Sequence, residues 1–160
     1  MKNLIRNFEK CDWNCVAEIY KQGIESGIAT FTAECPSYDE WDKMHLTECR
    51  FVYEESGRII GWTALSPISS REVYKGVAEI SVYVDKDYHG KGVGTALIEH
   101  LKATAPEHGL WSLCSTILEI NIPSIGLHEK CGFRKIGYKE RIAKDKFGKW
   151  QNTVLMEYRL

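Results

Sequence analysis

Apolar residues recur at Trp13, Val16, Ala17, Tyr20 and Ile24, the three-to-four-residue spacing that lines them along one stripe of a helix. That spacing predicts a helix through "WNCVAEIYKQGIE", with Asp12 as its N-cap and Gly27 just beyond its end. "PSYDEWDKMHL" predicts a second, short helix, started by Pro36 and Ser37 and carrying acidic residues in its first turn. The period then falls to two. "CRFVYEESGRIIGWTALS" holds two β-rich runs around "ESGR", a hairpin in which Gly57 can take a positive φ. "AEISVYV" continues the β pattern with branched and aromatic residues. Past a glycine-rich segment come a helix to about Ala103, a strand "LWSLCSTIL" and a helix "IPSIGLHEKC" closed by Gly132. The tail, "FRKIGYKERIAKDKFGKWQNTVLMEYRL", reads as two strands joined by a turn around Gly148. This mixed order predicts an α+β fold, one domain over residues 1–160 with a central mixed sheet flanked by helices.

Composition removes several function classes. With 21 basic and 22 acidic side chains the formal charge is −1, so the chain lacks the basic field that drives nucleic-acid binding, and no nucleic-acid partner is expected. No apolar run approaches the ~20 residues that cross a bilayer. The start "MKNLIRNFEKCDW" lacks the apolar core of a signal peptide, so a cytoplasmic protein with no membrane partner is expected. Cys11, Cys15, Cys35, Cys49, Cys114 and Cys131 form no C-x-x-C pair. Neither a zinc site nor a disulfide framework is predicted; buried reduced thiols are.

The chemistry concentrates in "VYVDKDYHGKGVGTALIEHL", where Gly90, Gly92 and Gly94 alternate between a strand and a helix. The spacing is not the G-x-G-x-x-G of a dinucleotide site, and Lys91 between two glycines does not match a Walker A motif. Glycines strip side chains so that successive amides can face one anion, and a following helix aims its positive dipole end at it. A pyrophosphate meets that description. A plain strand-to-helix turn is the alternative, but each glycine costs ~0.5–1 kcal/mol relative to alanine.

The same segment resembles the acetyl-CoA site of the GNAT N-acetyltransferase superfamily, whose loop reads Gln/Arg-x-x-Gly-x-Gly/Ala at the head of a helix. Here His89 and Lys91 bracket the place where arginine or glutamine is usual. "GIATFTAECPSYDEW", "GWTALSPISSREVYKGVAEISVYV", "NIPSIGLHEKCGF" and "KFGKW" extend the resemblance, over most of the chain, to the phosphinothricin and methionine sulfoximine acetyltransferase branch. That resemblance implies a homodimeric enzyme that moves acetyl from acetyl-CoA to the amine of a small amino acid-like acceptor by direct attack, without metal. Two other outcomes stay open: a GNAT enzyme for a polyamine or peptide amine, and a CoA-binding regulator without turnover.

By the same resemblance, Val82, Tyr83 and Val84 offer main chain to the pantetheine arm. His89, Gly90, Lys91, Gly92, Val93, Gly94 and Thr95 hold the pyrophosphate, and Asn121 and Ser124 contact the cofactor or an ordered water. Glu79 stands where the branch carries its general base; as a bare sequence feature it is a solvated glutamate at a strand end. His128 replaces the tyrosine that in most GNAT enzymes protonates the departing thiolate, as acid or orienting group; a lone helical histidine is otherwise structural. Arg71 and Tyr74 match an R-x-A-Y segment, with Val73 in place of alanine, and a guanidinium there can fork an α-carboxylate. Phe31, Thr32 and Glu34 line the opposite mouth, with Lys146 and Trp150 toward the far wall.

Overall fold

The chain's alternating runs assemble into one seven-stranded sheet of order β1-β2-β3-β4-β5-β7-β6. A computed structural model describes residues 3–160. In chain order the elements are β1 (Asn3–Asn7), α1 (Trp13–Ser26), α2 (Tyr38–Met44), β2 (Phe51–Glu55), β3 (Arg58–Pro67), β4 (Val77–Val84), α3 (Val93–Thr104), β5 (Ser112–Leu118), α4 (Ile122–Lys130), β6 (Arg134–Lys144) and β7 (Trp150–Arg159). Only β4 and β5 run parallel; every other neighbouring pair is antiparallel.

Each face of the sheet has its own core. The α1 stripe buries Val16, Ile19, Tyr20 and Ile24, and with Trp41 of α2 it packs on Val52, Ile59, Trp62 and Ala64. On the other face Leu97, Ile98 and Leu101 of α3 and Ile125 of α4 pack on Ile60, Leu65, Leu113 and Met156. The predicted hairpin forms with Ser56 and Gly57 at φ 52° and 78°, the two positive values that match a turn to the strand twist. Gly27, Gly132 and Gly148 also take positive φ at the predicted ends and turn.

Two expectations need correction, and one strand is additional to them. Asp12 does not cap α1, since its side chain makes no cap bond there. It accepts instead from Arg6 Nη1 at 2.8 Å, Arg6 Nη2 at 3.0 Å and the Glu9 amide at 2.8 Å, tying the short 3₁₀ turn Lys10–Asp12 to β1. β1 itself was not foreseen: "NLIRN" offers two adjacent apolar residues and no alternation, and its pairing with β2 decides its state. The cysteines are all free, yet only Cys49 and Cys131 are buried; Cys11 and Cys15 are exposed.

The Arg6 guanidinium holds the Asp12 carboxyl below its usual range, against the opposing effect of burial. A depressed folded-state pKa gives stability that is present above the unfolded value near ~3.9 and is lost as pH falls through the folded one. Asp12→Asn is therefore expected to lower stability by about 1–3 kcal/mol at pH 7, with the gap to wild type closing in acid. Urea unfolding at neutral and acid pH measures both.

A loop between β3 and β4, residues 68–76, ends in a clamp. The Gly76 carbonyl accepts from the amides of Trp111 (2.8 Å) and Ser112 (3.1 Å). The Trp111 indole lies so flat on Gly76 that a Cβ there would sit 2.0 Å from Trp111 Cε3.

Candidate active site

β4 and β5 pair only through Val77↔Ser112, Ala78↔Leu113 and Glu79↔Cys114. Beyond Glu79, β4 stays on β3 as far as Gly61↔Val84, while β5 stays on β7 as far as Leu118↔Thr153. The two strands therefore splay, and a V opens directly after Glu79. The Asp85 amide bonds the Ile60 carbonyl at 2.8 Å and the Ser81 carbonyl accepts from Thr63 Oγ1 at 2.8 Å, both on the β3 side. By the alternation of a strand, the polar main-chain groups of Val82 and Val84 point into the V. The Val84 carbonyl there accepts from His89 Nε2 at 2.9 Å. An extended ligand can pair with such an edge as an added strand.

At the open end of β4 the glycines divide their work. Gly90 and Gly92 sit at φ 73° and 82° with nothing within 4 Å of a would-be Cβ, so backbone conformation, not crowding, requires glycine. Gly92 is the N-cap of α3 and has no side chain to cap with; the first bond of the helix is Ala96 N–H to the Gly92 carbonyl, 3.0 Å. The amides of Val93, Gly94 and Thr95 are thus first-turn donors with no intrahelical partner, the condition for an anion site. Gly94 serves packing instead: a Cβ would lie 2.9 Å from Leu127 Cδ2 of α4.

The turn before the loop is fixed by the buried Asp85. Its carboxylate accepts from the Asp87 amide (2.9 Å), Arg58 Nη2 (3.2 Å) and Gln22 Nε2 (3.4 Å), and Gln22 returns its own oxygen to the Lys86 amide (2.9 Å). Lys91 and Arg58 flank the Tyr88 ring at 5.0 and 5.7 Å, so the cationic character of the loop comes from lysine and from a β3 arginine.

Glu79 is half-buried at the crotch of the V, and burial raises its pKa. His128, 2% exposed, lies on α4 with its ring edge-on to Phe133 at 5.0 Å. Its Nδ1 is 2.7 Å from the Ser124 carbonyl. A carbonyl can only accept, so Nδ1 carries the proton and Nε2 keeps a lone pair, which is buried without a partner. Burial also lowers the His128 pKa, favouring the neutral ring. Asn121 caps α4 by accepting from the Ser124 amide at 3.2 Å, and Ser124 in turn holds His128, so the three form one chain of contacts.

On the α1 face of the V the Tyr83 ring stacks on Trp62 (5.0 Å, 17°) and on Tyr20 (4.9 Å, 28°). Gly23 of α1 makes this possible, since a Cβ there would lie 2.7 Å from Tyr83 Cε1. Tyr20 Oη reaches Thr32 Oγ1 at 3.4 Å. Phe31 and Thr32 form a crevice with Ile24, Thr30, Lys146 and Phe147, and Lys146 Nζ donates to the Ile24 carbonyl at 3.2 Å. Glu34 is exposed and outside this crevice, as is Trp150, whose ring faces Lys144 at 4.9 Å. Arg71 and Tyr74 are exposed on the 68–76 loop, the guanidinium 5.6 Å from the Tyr74 ring centre.

Sequence reasoning passed over Trp62, Phe147, Gly76 and Trp111. One signal was available: Gly23 inside a helical pattern costs ~1 kcal/mol against alanine and so marks a close approach. Among the described residues no group of three or more His, Cys, Asp or Glu side chains is placed to hold a metal ion.

The parting of β4 from β5 bares main chain along Val82–Val84, and a glycine-fronted helix follows, as the sequence resemblance implied for an acetyl-CoA site. Comparison with known proteins agrees: residues 13–133 match the acetyltransferase (GNAT) family, and the chain belongs to it. It is 31% identical over 154 residues to a phosphinothricin N-acetyltransferase of Alcaligenes faecalis, across 91% of this chain and 77% of that protein. It is 28% identical over 163 residues to the L-amino acid N-acyltransferase MnaT of Escherichia coli, across 98% and 93%. Its fold superposes with a TM-score of 0.88 on a phosphinothricin acetyltransferase from Sinorhizobium meliloti in complex with AcCoA, at 27% identity over 100% of this chain and 89% of that one.

Proposed function

We propose that this protein transfers acetyl from acetyl-CoA to the amine of a small amino acid-like acceptor of the phosphinothricin or methionine sulfoximine type, by direct attack and without metal. The observation that carries this reading is the half-buried Glu79 at the point where β4 and β5 part, the crotch of the V that would hold the pantetheine arm. The Val82 and Val84 main chain pairs with that arm, the amides from Gly90 to Thr95 take the pyrophosphate with His89 and Lys91 beside it, and Asn121 and Ser124 contact the cofactor or an ordered water. Arg71 and Tyr74 receive the acceptor's carboxylate, with Phe31 and Thr32 opposite.

An amine of Lys-like pKa ~10.4 is protonated at pH 7, and freeing it costs roughly 4.5 kcal/mol. Glu79 takes that first proton, directly or through water. The amine then attacks the thioester carbonyl, whose developing oxyanion is stabilised by a β4 amide. When the C–S bond breaks, the nitrogen's second proton balances the thiolate. His128, neutral and protonated on Nδ1, takes the orienting rather than the acid part of its expected role, its bare Nε2 accepting from the thiol once formed.

Exposed Ile120, Ile122, Ile136, Tyr138 and Ile142, on α4's approach and β6, support a homodimer. Six free thiols and a near-balanced charge support a cytoplasmic setting without nucleic-acid or membrane partners; no helix among the described residues is long and apolar enough to cross a membrane. The test is thiol release from acetyl-CoA with L-phosphinothricin, L-methionine sulfoximine, ordinary amino acids, polyamines and a short peptide. Turnover on the first two and little elsewhere is expected. Turnover only on polyamines or peptide overturns the acceptor assignment, and CoA binding without any turnover overturns catalysis.

A further inference from the structure

Glu79 and Cys114 form the last paired position before β4 and β5 separate. Two residues further along β5, Thr116 returns to the same face as Cys114, and hence to the face of Glu79. Its neighbours Ser115, Ile117 and Leu118 are buried while Thr116 itself is exposed at the opening. Where main-chain bonds no longer join the strands, the register sets this side chain diagonally across the crotch from Glu79, on the same face.

The other groups that face Glu79 are committed elsewhere. The Cys114 thiol on β5 donates to the Ala78 carbonyl at 3.5 Å. The Tyr83 ring on β4 is stacked on Trp62 of β3 and on Tyr20 of α1. Glu157 of β7, opposite Cys114, is paired with Arg134 of β6. None of these is placed to donate to the carboxylate, whereas the Thr116 hydroxyl, across the crotch on the same face, opposes the rise in the Glu79 pKa that burial causes.

We propose that Thr116 is a positioning residue for the general base, aiming the Glu79 carboxylate across the V and stabilising its ionised, proton-accepting form. This rests on the reading of Glu79 as the base. Threonine is also simply a good strand residue, so the test must read the charge state of Glu79 and not only rate.

The experiment is the pH profile of kcat/KM for the acceptor, measured for wild type, Thr116→Val, Thr116→Ser and Glu79→Gln, with the KM for acetyl-CoA and the melting temperature recorded for each. Valine keeps the shape and removes the donor. The acid limb is expected to move to higher pH, a loss of roughly threefold to tenfold near about pH 6 that vanishes by about pH 9, with melting temperature and acetyl-CoA KM unchanged. Serine is expected to restore the wild-type limb. An unmoved limb in Thr116→Val, or a uniform loss at all pH values that serine does not rescue, overturns the proposal. If Glu79→Gln keeps the wild-type acid limb, the base assignment itself fails, a result distinguishable from failure at Thr116.

Discussion

Replacement of Glu79 by glutamine is expected to leave acetyl-CoA binding intact while slowing turnover by ~10²- to 10⁴-fold, the range lost with a positioned general base. Glutamine fills the same space at the crotch of the V, so packing is little disturbed. What it cannot do is accept a proton. The deficit is expected to be steepest at low pH, where free amine is scarce, and to shrink as pH approaches the amine's own pKa and solvent supplies the neutral nucleophile. Burial raises the pKa of Glu79. The wild-type acid limb should therefore lie above that of an ordinary glutamate, since a base works only above its pKa. Thiol release across pH, with acetyl-CoA affinity from calorimetry, separates binding from chemistry; unchanged turnover would remove Glu79 from the mechanism.

Gly92→Val is expected to do the reverse, raising the KM for acetyl-CoA about 10- to 100-fold while the acceptor KM changes little. Nothing crowds the position, so no clash is involved. The cost lies in the backbone: φ is 82° at the N-cap of α3, and a β-branched residue held in that region costs ~1–3 kcal/mol. The loop relieves that strain by turning, which swings the first-turn amides away from the pyrophosphate. Each ~1.4 kcal/mol lost there is tenfold in affinity. Equal acetyl-CoA KM values in the two proteins would mean that the loop's conformation does not matter to cofactor binding.

The features legible in the sequence were those fixed by neighbours along the chain. Gly27, Gly57, Gly132 and Gly148 mark turns because a positive φ is a local demand, and all four take it. The alternating glycines likewise announced the start of α3, which has a glycine N-cap at positive φ. Asp12 misled because its partners lie outside α1: a guanidinium on β1 outcompetes the role its position suggested. The aromatic floor of Tyr20, Trp62 and Tyr83 draws on α1, β3 and β4, and no periodicity within one segment encodes which rings will meet. Glu79 and His128 become candidate catalytic residues only through family resemblance, since a glutamate on a strand and a histidine on a helix carry no such signal by themselves.

The Trp111 clamp on Gly76 bears on how such an enzyme can change. It fixes one end of the 68–76 loop to the root of β5, and the β3–β4 ladder fixes the other, from Pro67↔Ala78 onward. Residues between those points are exposed and touch little of the core, so mutation there meets almost no stability filter. If Arg71 and Tyr74 receive the acceptor as proposed, a lineage could exchange Arg71, Val73 or Tyr74 and sample new acceptors while the sheet stays in register, whereas drift at Gly76 would be purged. On that proposal, acceptor range and catalytic integrity would be heritable separately, with a single glycine and the indole lying on it as the boundary.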